Sequence, residues 1–136
     1  MPKRILVMGL PGSGKTTLSA ALTAHLFPQC LWLNADTVRE KYNDWDFSIE
    51  GRIRQSVRMR ELADASDKPF VIADFVCPLP EMRDNFDADY LIWVNTITTG
   101  KFEDTNKMFV PPETANCIVT TQDADHWAEI IIEDME

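Results

Sequence analysis

The chain has 136 residues, of which 45% are hydrophobic and 26% are charged, so it can bury one core and we expect a single domain over residues 1–136. Its formal net charge of −9 repels polyanions, which argues against duplex nucleic acid as a partner. Its three cysteines are widely spaced and form no C-x-x-C pair, which indicates a reducing compartment. No apolar run is long enough to cross a membrane or to act as a secretion signal, so we expect a cytoplasmic protein.

The first predicted elements are a buried strand at residues 5–8, a glycine-rich turn at residues 9–16 and a helix over Lys15–Leu26. The turn matches the phosphate-binding pattern G-x-x-x-x-G-K-S/T at every position. Between a strand and a helix, this pattern cradles phosphates with backbone N–H groups and with the positive end of the helix dipole. We expect Lys15 to reach the β and γ phosphates of ATP, and Thr16 to ligate Mg²⁺. The residues expected to bind ATP are Gly9, Pro11, Gly12, Ser13, Gly14, Lys15, Thr16 and Thr17.

Polar residues follow the second predicted strand, residues 31–33. Asp36 and Arg39 are three positions apart at the start of a helix, so their side chains can face the same cleft. Asp36 can accept the proton of an attacking hydroxyl while Arg39 holds an anionic acceptor. With Lys15, they are the candidate catalytic residues. The alternative is that Asp36 only caps the helix and that Arg39 lies on its surface.

A long helix is predicted over residues 48–65, and two of its polar residues share one face. Arg52 offers a guanidinium fork for a sulfate or phosphate, and Gln55, three positions later, offers an amide for a ring or a ribose. Phe47 precedes the helix and can present its ring to a base. The alternative for Arg52 is an ordinary surface position. The apolar residues expected to face the core from this helix are Ile49, Ile53, Val57 and Leu62.

The third predicted strand, residues 70–73, ends in Asp74. An acid at this place can hold a water ligand of Mg²⁺ in the manner of a Walker B aspartate, so Thr16 and Asp74 are the predicted metal site. The alternative is a turn residue that merely ends the strand.

The remaining strands are predicted at Tyr90–Val94 and Cys117–Val119, and a last helix follows Asp123, capped by Asp123 or Thr121. Between the two strands, residues 96–112 show little periodicity, and we expect a mobile, lid-like loop in which Lys101 and Phe102 can close over a nucleotide. The whole pattern predicts a three-layer α/β fold of the P-loop NTPase type, with a five-stranded parallel sheet flanked by helices. Its site should lie beyond the carboxyl ends of the strands.

Five stretches together resemble one family, the adenylylsulfate kinases, over about residues 5–113. The matching stretches, with the family pattern of each, are residues 34–39 (D-G-D-N-x-R), 44–48 (D-L-G-F-S), 51–58 (D-R-x-x-N-x-R-R), 73–78 with Arg83 (S-F-I-S-P and a downstream arginine) and 102–113 (F-T-G-I-x-x-P-Y-E-x-P).

The resemblance implies transfer of the γ-phosphoryl group of ATP to the 3′ hydroxyl of adenylylsulfate, a step of sulfate assimilation. Asp36 then corresponds to the acid beside that hydroxyl, and Phe47 and Phe102 correspond to the aromatic residues that sandwich the adenine. The implied cofactors are ATP and Mg²⁺, and the implied partner is a small-molecule nucleotide. Whether the protein forms a homodimer is left open. The implied substrate-binding residues are Asp36, Arg39, Phe47, Arg52, Gln55, Phe75, Val76, Cys77, Lys101 and Phe102.

The chain also departs from the family pattern. Cys77 replaces a serine and Gln55 an asparagine, and the family's basic lid is shortened, so that Lys101 or Lys107 would have to supply its cation. Two alternatives follow. One is a polynucleotide or modified-nucleotide hydroxyl kinase, since polynucleotide 5′-hydroxyl kinases share the N-x-D-x-x-R arrangement. The other is a nucleotide-binding regulator that has lost catalysis, for which the short lid is the best support.

Overall fold

A computed structural model describes residues 2–136, and its centre is a parallel sheet with the strand order β2-β3-β1-β4-β5. The strands are β1 (Lys3–Met8), β2 (Cys30–Asn34), β3 (Phe70–Asp74), β4 (Tyr90–Val94) and β5 (Cys117–Val119). The helices are α1 (Lys15–Leu26), α2 (Ala35–Tyr42), α3 (Ile49–Asp64), α4 (Pro80–Phe86), α5 (Glu103–Met108) and α6 (Ala124–Met135). The α/β class and the five-stranded parallel sheet predicted from the sequence are confirmed.

Strand β1 lies at the middle of the sheet, and its side chains divide the core into two layers. Leu6 and Met8 belong to the cluster on the side of α3 and α4, whereas Ile5 and Val7 belong to the cluster on the side of α1 and α6. Alternate residues of a strand point to opposite faces, so a strand buried on both faces is apolar throughout. This arrangement fixes the carboxyl end of β1, and with it the phosphate-binding loop, at the centre of one sheet edge.

The structure contains three helices that the sequence analysis did not delimit. Helices α2 and α4 are short, and α4 begins with Pro80, a residue suited to the first helical position. Helix α5 lies inside residues 96–112, which were expected to be an irregular loop. Helices of one or two turns carry too few residues for a periodic pattern to emerge.

The predicted inner face of α3 is correct at two of its four positions, because Ile53 and Leu62 pack against the core, and wrong at the other two. Ile49 and Val57 are exposed, with 51% and 41% of their surface accessible. The residues buried on α3 are Gly51, Gln55, Ser56, Met59 and Ala63. Most of these side chains are small or polar, so an apolar pattern alone could not identify them as buried.

Helix α6 buries Ala128 and Ile131 and begins after Asp123, as expected. The Asp123 side chain makes no capping hydrogen bond, and the Thr121 hydroxyl accepts one from the Trp127 indole instead. No helix in the described part of the chain is both long and apolar enough to span a membrane.

Candidate active site

The phosphate-binding loop, residues 9–16, requires glycine at specific positions. Gly12 and Gly14 have φ angles of 86° and 106°, in the left-handed region that other residues rarely adopt. At Gly9, an added Cβ would lie 2.5 Å from the Val94 carbonyl oxygen. The glycines therefore allow both the loop's backbone conformation and its close approach to β4.

Lys15 is held inside this loop. Its ammonium donates a hydrogen bond to the Leu10 carbonyl over 3.1 Å, and only 9% of the residue is exposed. Burial lowers the pKa of Lys15, and the carboxylates of Asp74 and Asp36 oppose that effect. The ammonium is therefore placed where a phosphate would take over its hydrogen bond, with carboxylates nearby on two sides.

Asp74, at the end of β3, links the end of β2 to the start of α1. Its Oδ2 accepts hydrogen bonds from the Thr16 hydroxyl over 3.3 Å and from the Asn34 amide over 3.1 Å. Burial raises the pKa of Asp74, while Lys15 and these two donors counteract the rise. A hydroxyl and a carboxylate side by side are hard oxygen ligands, the chemistry that suits Mg²⁺. The donor set thus fits the predicted metal site, and Asp74 is more than a turn residue.

One cavity lies beside the phosphate-binding loop, at the ends of β4 and β5. It is lined by Ser13, Gly14, Thr17, Leu18, Val94, Val119, Thr121, Gln122, Asp123 and Ala124. The Thr96 hydroxyl and the Gln122 amide both donate to the Ser13 carbonyl, over 2.6 and 3.2 Å, and thereby brace the loop. The sequence analysis did not identify Thr96 and Gln122 as site residues. Both follow strands, β4 and β5, at the carboxyl edge of the sheet, where the other predicted site residues lie.

A second cavity collects the predicted substrate-binding residues, except Lys101 and Phe102. It is lined by Ala35, Asp36, Arg39, Phe47, Arg52, Gln55, Phe75, Val76, Cys77, Pro78 and Met82. Phe102 is 54% exposed and lies outside this lining, with the Lys101 ammonium 5.1 Å from its ring centroid. The structure therefore brings together one side of the predicted adenine sandwich and not the other.

The ring of Phe47 lies near two guanidinium groups. Arg39 and Arg52 lie 4.3 and 5.5 Å from its centroid, within the range of a cation–π interaction. Arg39 donates to the carbonyls of Asp44 and Asp46, and Arg52 donates to the Phe47 carbonyl. Residues 43–48, which we call the acceptor loop, are thus held by the two arginines expected to grip an anion.

Both alternatives considered for the second strand end are wrong. The cap of α2 is Asn34, whose Oδ1 accepts from the Thr37 N–H over 3.2 Å, and Asp36 instead borders the second cavity. Arg39 is only 4% exposed, so it is not a surface residue. Burial lowers the pKa of Arg39, and Asp44 is the main group opposing the shift.

Gln55 and Arg83 make contacts within the protein itself. The Gln55 amide donates to the Ala35 carbonyl and accepts from Arg58, so both of its ends are occupied. Arg83 donates to the carbonyls of Cys77, Pro78 and Val110. Both residues shape the cavity wall through these bonds.

Asp44 anchors the acceptor loop to α3. It accepts two hydrogen bonds from Arg54, over 2.8 and 3.0 Å, and one from Arg58 over 2.8 Å. These arginines hold the pKa of Asp44 well below its usual range. Asp44 was part of the resemblance, but its role as an anchor depends on partners 10 and 14 residues away and had no sequence signal.

Comparison with known proteins identifies the family. The family model for adenylylsulphate kinase matches residues 1–94, which is more than half of the chain. The chain belongs to the adenylylsulphate kinase family, a family of kinases, as its sequence predicted. A search of curated protein sequences finds no significant match.

Solved structures share the fold at low sequence identity. The adenylylsulphate kinase CysC of Mycobacterium tuberculosis, in complex with AMPPNP and APS, superposes with a TM-score of 0.77 at 18% identity and covers 98% of this chain and 97% of its own. Shikimate kinase from Acinetobacter baumannii, in complex with shikimate, gives 0.67 at 18% identity with 99% and 93% covered. A gluconokinase from Sinorhizobium meliloti 1021 gives 0.63 at 19% identity with 98% and 89% covered. These likenesses establish the P-loop kinase fold.

Proposed function

We propose that the protein transfers the γ-phosphoryl group of ATP to the 3′ hydroxyl of adenylylsulfate. The observation that carries this proposal is the second cavity, in which Asp36, Arg39, Phe47 and Arg52 meet, with Asp36 close enough to Lys15 of the phosphate-binding loop to oppose the lowering of its pKa. An aromatic ring, two guanidinium groups and a carboxylate match the parts of a nucleotide that carries an anion and a reactive hydroxyl. Family membership and the sequence resemblance support the same acceptor.

The residues divide the reaction among them. The 3′ oxygen attacks the γ phosphorus, the bond from that phosphorus to the β,γ-bridging oxygen breaks, and ADP leaves. Asp36 takes the proton of the hydroxyl, and Lys15 exchanges its bond to the Leu10 carbonyl for the phosphates. Arg39 and Arg52 hold the anionic end of the acceptor, and Phe47 stacks on its base.

The proposed metal site is formed by Thr16 and Asp74. Thr16 would hold Mg²⁺ directly and Asp74 through water, which agrees with the hydrogen bond between them. When bound, Mg²⁺ neutralises charge that develops on the phosphates during transfer.

A direct test supplies labelled ATP and Mg²⁺ with adenylylsulfate, a 5′-hydroxyl oligonucleotide, or no acceptor. We expect label in adenylylsulfate only. Label in the oligonucleotide, with steep loss of activity as salt rises, would replace the proposed acceptor by a nucleic acid. Binding of ATP with no transfer to any hydroxyl would instead favour the nucleotide-binding regulator.

A further inference from the structure

Residues 96–110, which we call the strap, connect the two cavities. At one end the Thr96 hydroxyl donates to the Ser13 carbonyl of the phosphate-binding loop. In the middle, Thr105, only 3% exposed, accepts a hydrogen bond from Arg52 over 2.9 Å. At the other end the Val110 N–H donates to the carbonyl of Pro78, which lines the second cavity. The strap therefore touches both substrate sites.

One side chain fixes the turn of the strap. The Asn106 amide makes a reciprocal pair of hydrogen bonds with Gly100, accepting from its N–H over 2.8 Å and donating to its carbonyl over 2.9 Å. Gly100 itself lies against the phosphate-binding loop, since an added Cβ would lie 3.0 Å from the Pro11 carbonyl oxygen. Asn106 thus ties α5 to a peptide that packs on the loop.

Lys101 follows directly after this fixed glycine. Its ammonium has no carboxylate within 4 Å in residues 2–136, whereas Lys107, the other strap cation, lies 3.7 Å from Glu103 on the exposed side of α5. Lys101 is exposed, and its long flexible side chain can reach several positions once its backbone is fixed. Of the two lysines, Lys101 is the one that pairs with no carboxylate in residues 2–136 and whose backbone lies beside the phosphate-binding loop; its ammonium lies 5.1 Å from the Phe102 ring centroid.

We infer that Asn106 is a positioning residue that fixes the Lys101 backbone beside the phosphate-binding loop, so that the Lys101 ammonium meets the phosphoryl group during transfer. The inference rests on the proposed function, because it requires transfer of a phosphoryl group. It explains how a shortened lid supplies a cation. The Asn106 amide holds the Lys101 backbone in place, which a longer lid would otherwise have to do.

The experiment compares the affinity for MgADP with the affinity for MgADP plus aluminium fluoride, a mimic of the phosphoryl group in transfer that needs no acceptor. Asn106→Ala should weaken the aluminium fluoride complex by about 10-fold and MgADP by less than about 2-fold, because only the complex carries the charge that Lys101 meets. Asn106→Asp keeps the bond from the Gly100 N–H and should show a smaller loss. Asn85→Ala, which removes an amide that donates to the Ser56 hydroxyl far from the strap, is the matched control and should change neither affinity.

A double-mutant cycle shows whether Asn106 acts through Lys101. Lys101→Ala should weaken the aluminium fluoride complex, and adding Asn106→Ala to it should cause no further loss. Equal losses from Asn106→Ala with and without Lys101 would overturn the inference, and so would equal weakening of MgADP and of the complex. If the unaltered protein gains no affinity from aluminium fluoride, Lys101 meets no such charge and the inference is overturned, whereas the transfer of label from ATP tests the proposed function separately. Transfer to a hydroxyl other than that of adenylylsulfate would leave the cycle unaffected.

Discussion

The phosphate-binding loop and the acceptor loop lie at the same sheet edge and are built in opposite ways. The first is held by backbone geometry: its glycines adopt positive φ, and Lys15 bonds to a carbonyl of the loop itself. The second is held by side chains from elsewhere, since Arg39, Arg52 and Arg54 bind its carbonyls and carboxylates. In the proposed function, the first binds the phosphates common to every nucleotide, and the second sets the acceptor.

This difference separates chemistry from specificity. Substitutions in a backbone-built loop affect phosphate binding for any acceptor, because the contacts are to phosphate oxygens. Substitutions in a loop held by side chains can change the acceptor and leave the reaction intact. Removing one side chain at a time from each loop tests whether chemistry and specificity are separated in this way.

The largest effect is expected at Lys15. Lys15→Ala removes the ammonium that meets the phosphates, so turnover should fall by about 10³-fold or more, with the fold retained. Lys68→Ala is a matched control, because Lys68 also donates to a backbone carbonyl over 3.1 Å but lies far from the loop. Steady-state turnover and thermal unfolding of both variants measure the outcome. Full turnover in Lys15→Ala would refute the assignment of the loop.

The second largest effect on turnover is expected at Asp36, which lies between the phosphate-binding loop and the acceptor loop. Asp36→Asn keeps the shape but removes the base, so turnover should fall by roughly 10²-fold with little change in ATP affinity. Asp125→Asn removes an acid from the first turn of α6 in the same way and controls for the helix-dipole contribution. Equal, small losses in the two variants would reduce Asp36 to a helix-terminal charge.

The contrast between the loops also decides what the sequence could predict. Strand positions and the phosphate-binding loop follow from contiguous patterns, apolar runs and glycine spacing, and they agree with the structure to within two residues. Asp36, Arg39 and Arg52 also came from local spacing, and the structure brings them to one cavity.

What the sequence analysis missed depends on distant partners. The anchoring of Asp44 and the bracing of Ser13 by Gln122 join separate segments, so no local pattern contains them. The pairing of Asn106 with Gly100 is local but follows no known sequence pattern. The inner face of α3 was predicted only in part for a different reason: Ile53 and Leu62 pack on the core as expected, but most of the fully buried residues of this helix are small or polar and leave no apolar pattern.

A smaller effect is expected at Phe47, on acceptor binding alone. Stacking of a base on an aromatic ring contributes about 1–3 kcal/mol, so Phe47→Ala should raise the KM of an adenine-containing acceptor by roughly 5-fold to 150-fold and leave the ATP affinity unchanged. Trp45→Ala is the matched control, because Trp45 is equally exposed at 49% and lies beside Phe47 but outside the cavity lining. Weaker ATP binding in Phe47→Ala, with the acceptor unaffected, would show that the two nucleotide sites were interchanged.

The smallest effect is expected in stability, at Asp74. Burial raises the pKa of this carboxyl, which means that the folded protein disfavours its charge. Asp74→Asn keeps an oxygen that can accept from Thr16 and Asn34, so the free energy of unfolding at pH 7 should rise by up to about 1 kcal/mol, while a higher Mg²⁺ concentration should be needed for half-maximal turnover. Lys15 loses an attractive carboxylate in the variant, which limits the gain.

The sign of the pH dependence follows from the same shift. A raised carboxyl pKa favours folding at acid pH, and this contribution disappears as the pH rises through the raised value. The variant lacks this titration, so its stability advantage should be largest near pH 7 and should close as the pH falls below the raised pKa of Asp74. Denaturant unfolding at several pH values measures the difference, with Asp67→Asn, at an exposed loop position, as the control. A loss of more than about 1 kcal/mol at pH 7 would mean that attraction between Asp74 and Lys15 outweighs the cost of burying the carboxylate. In that case the charges of Asp74 and Lys15 would stabilise the fold in addition to binding phosphates. The phosphate-binding loop would then differ from the acceptor loop in its electrostatics as well as in its geometry.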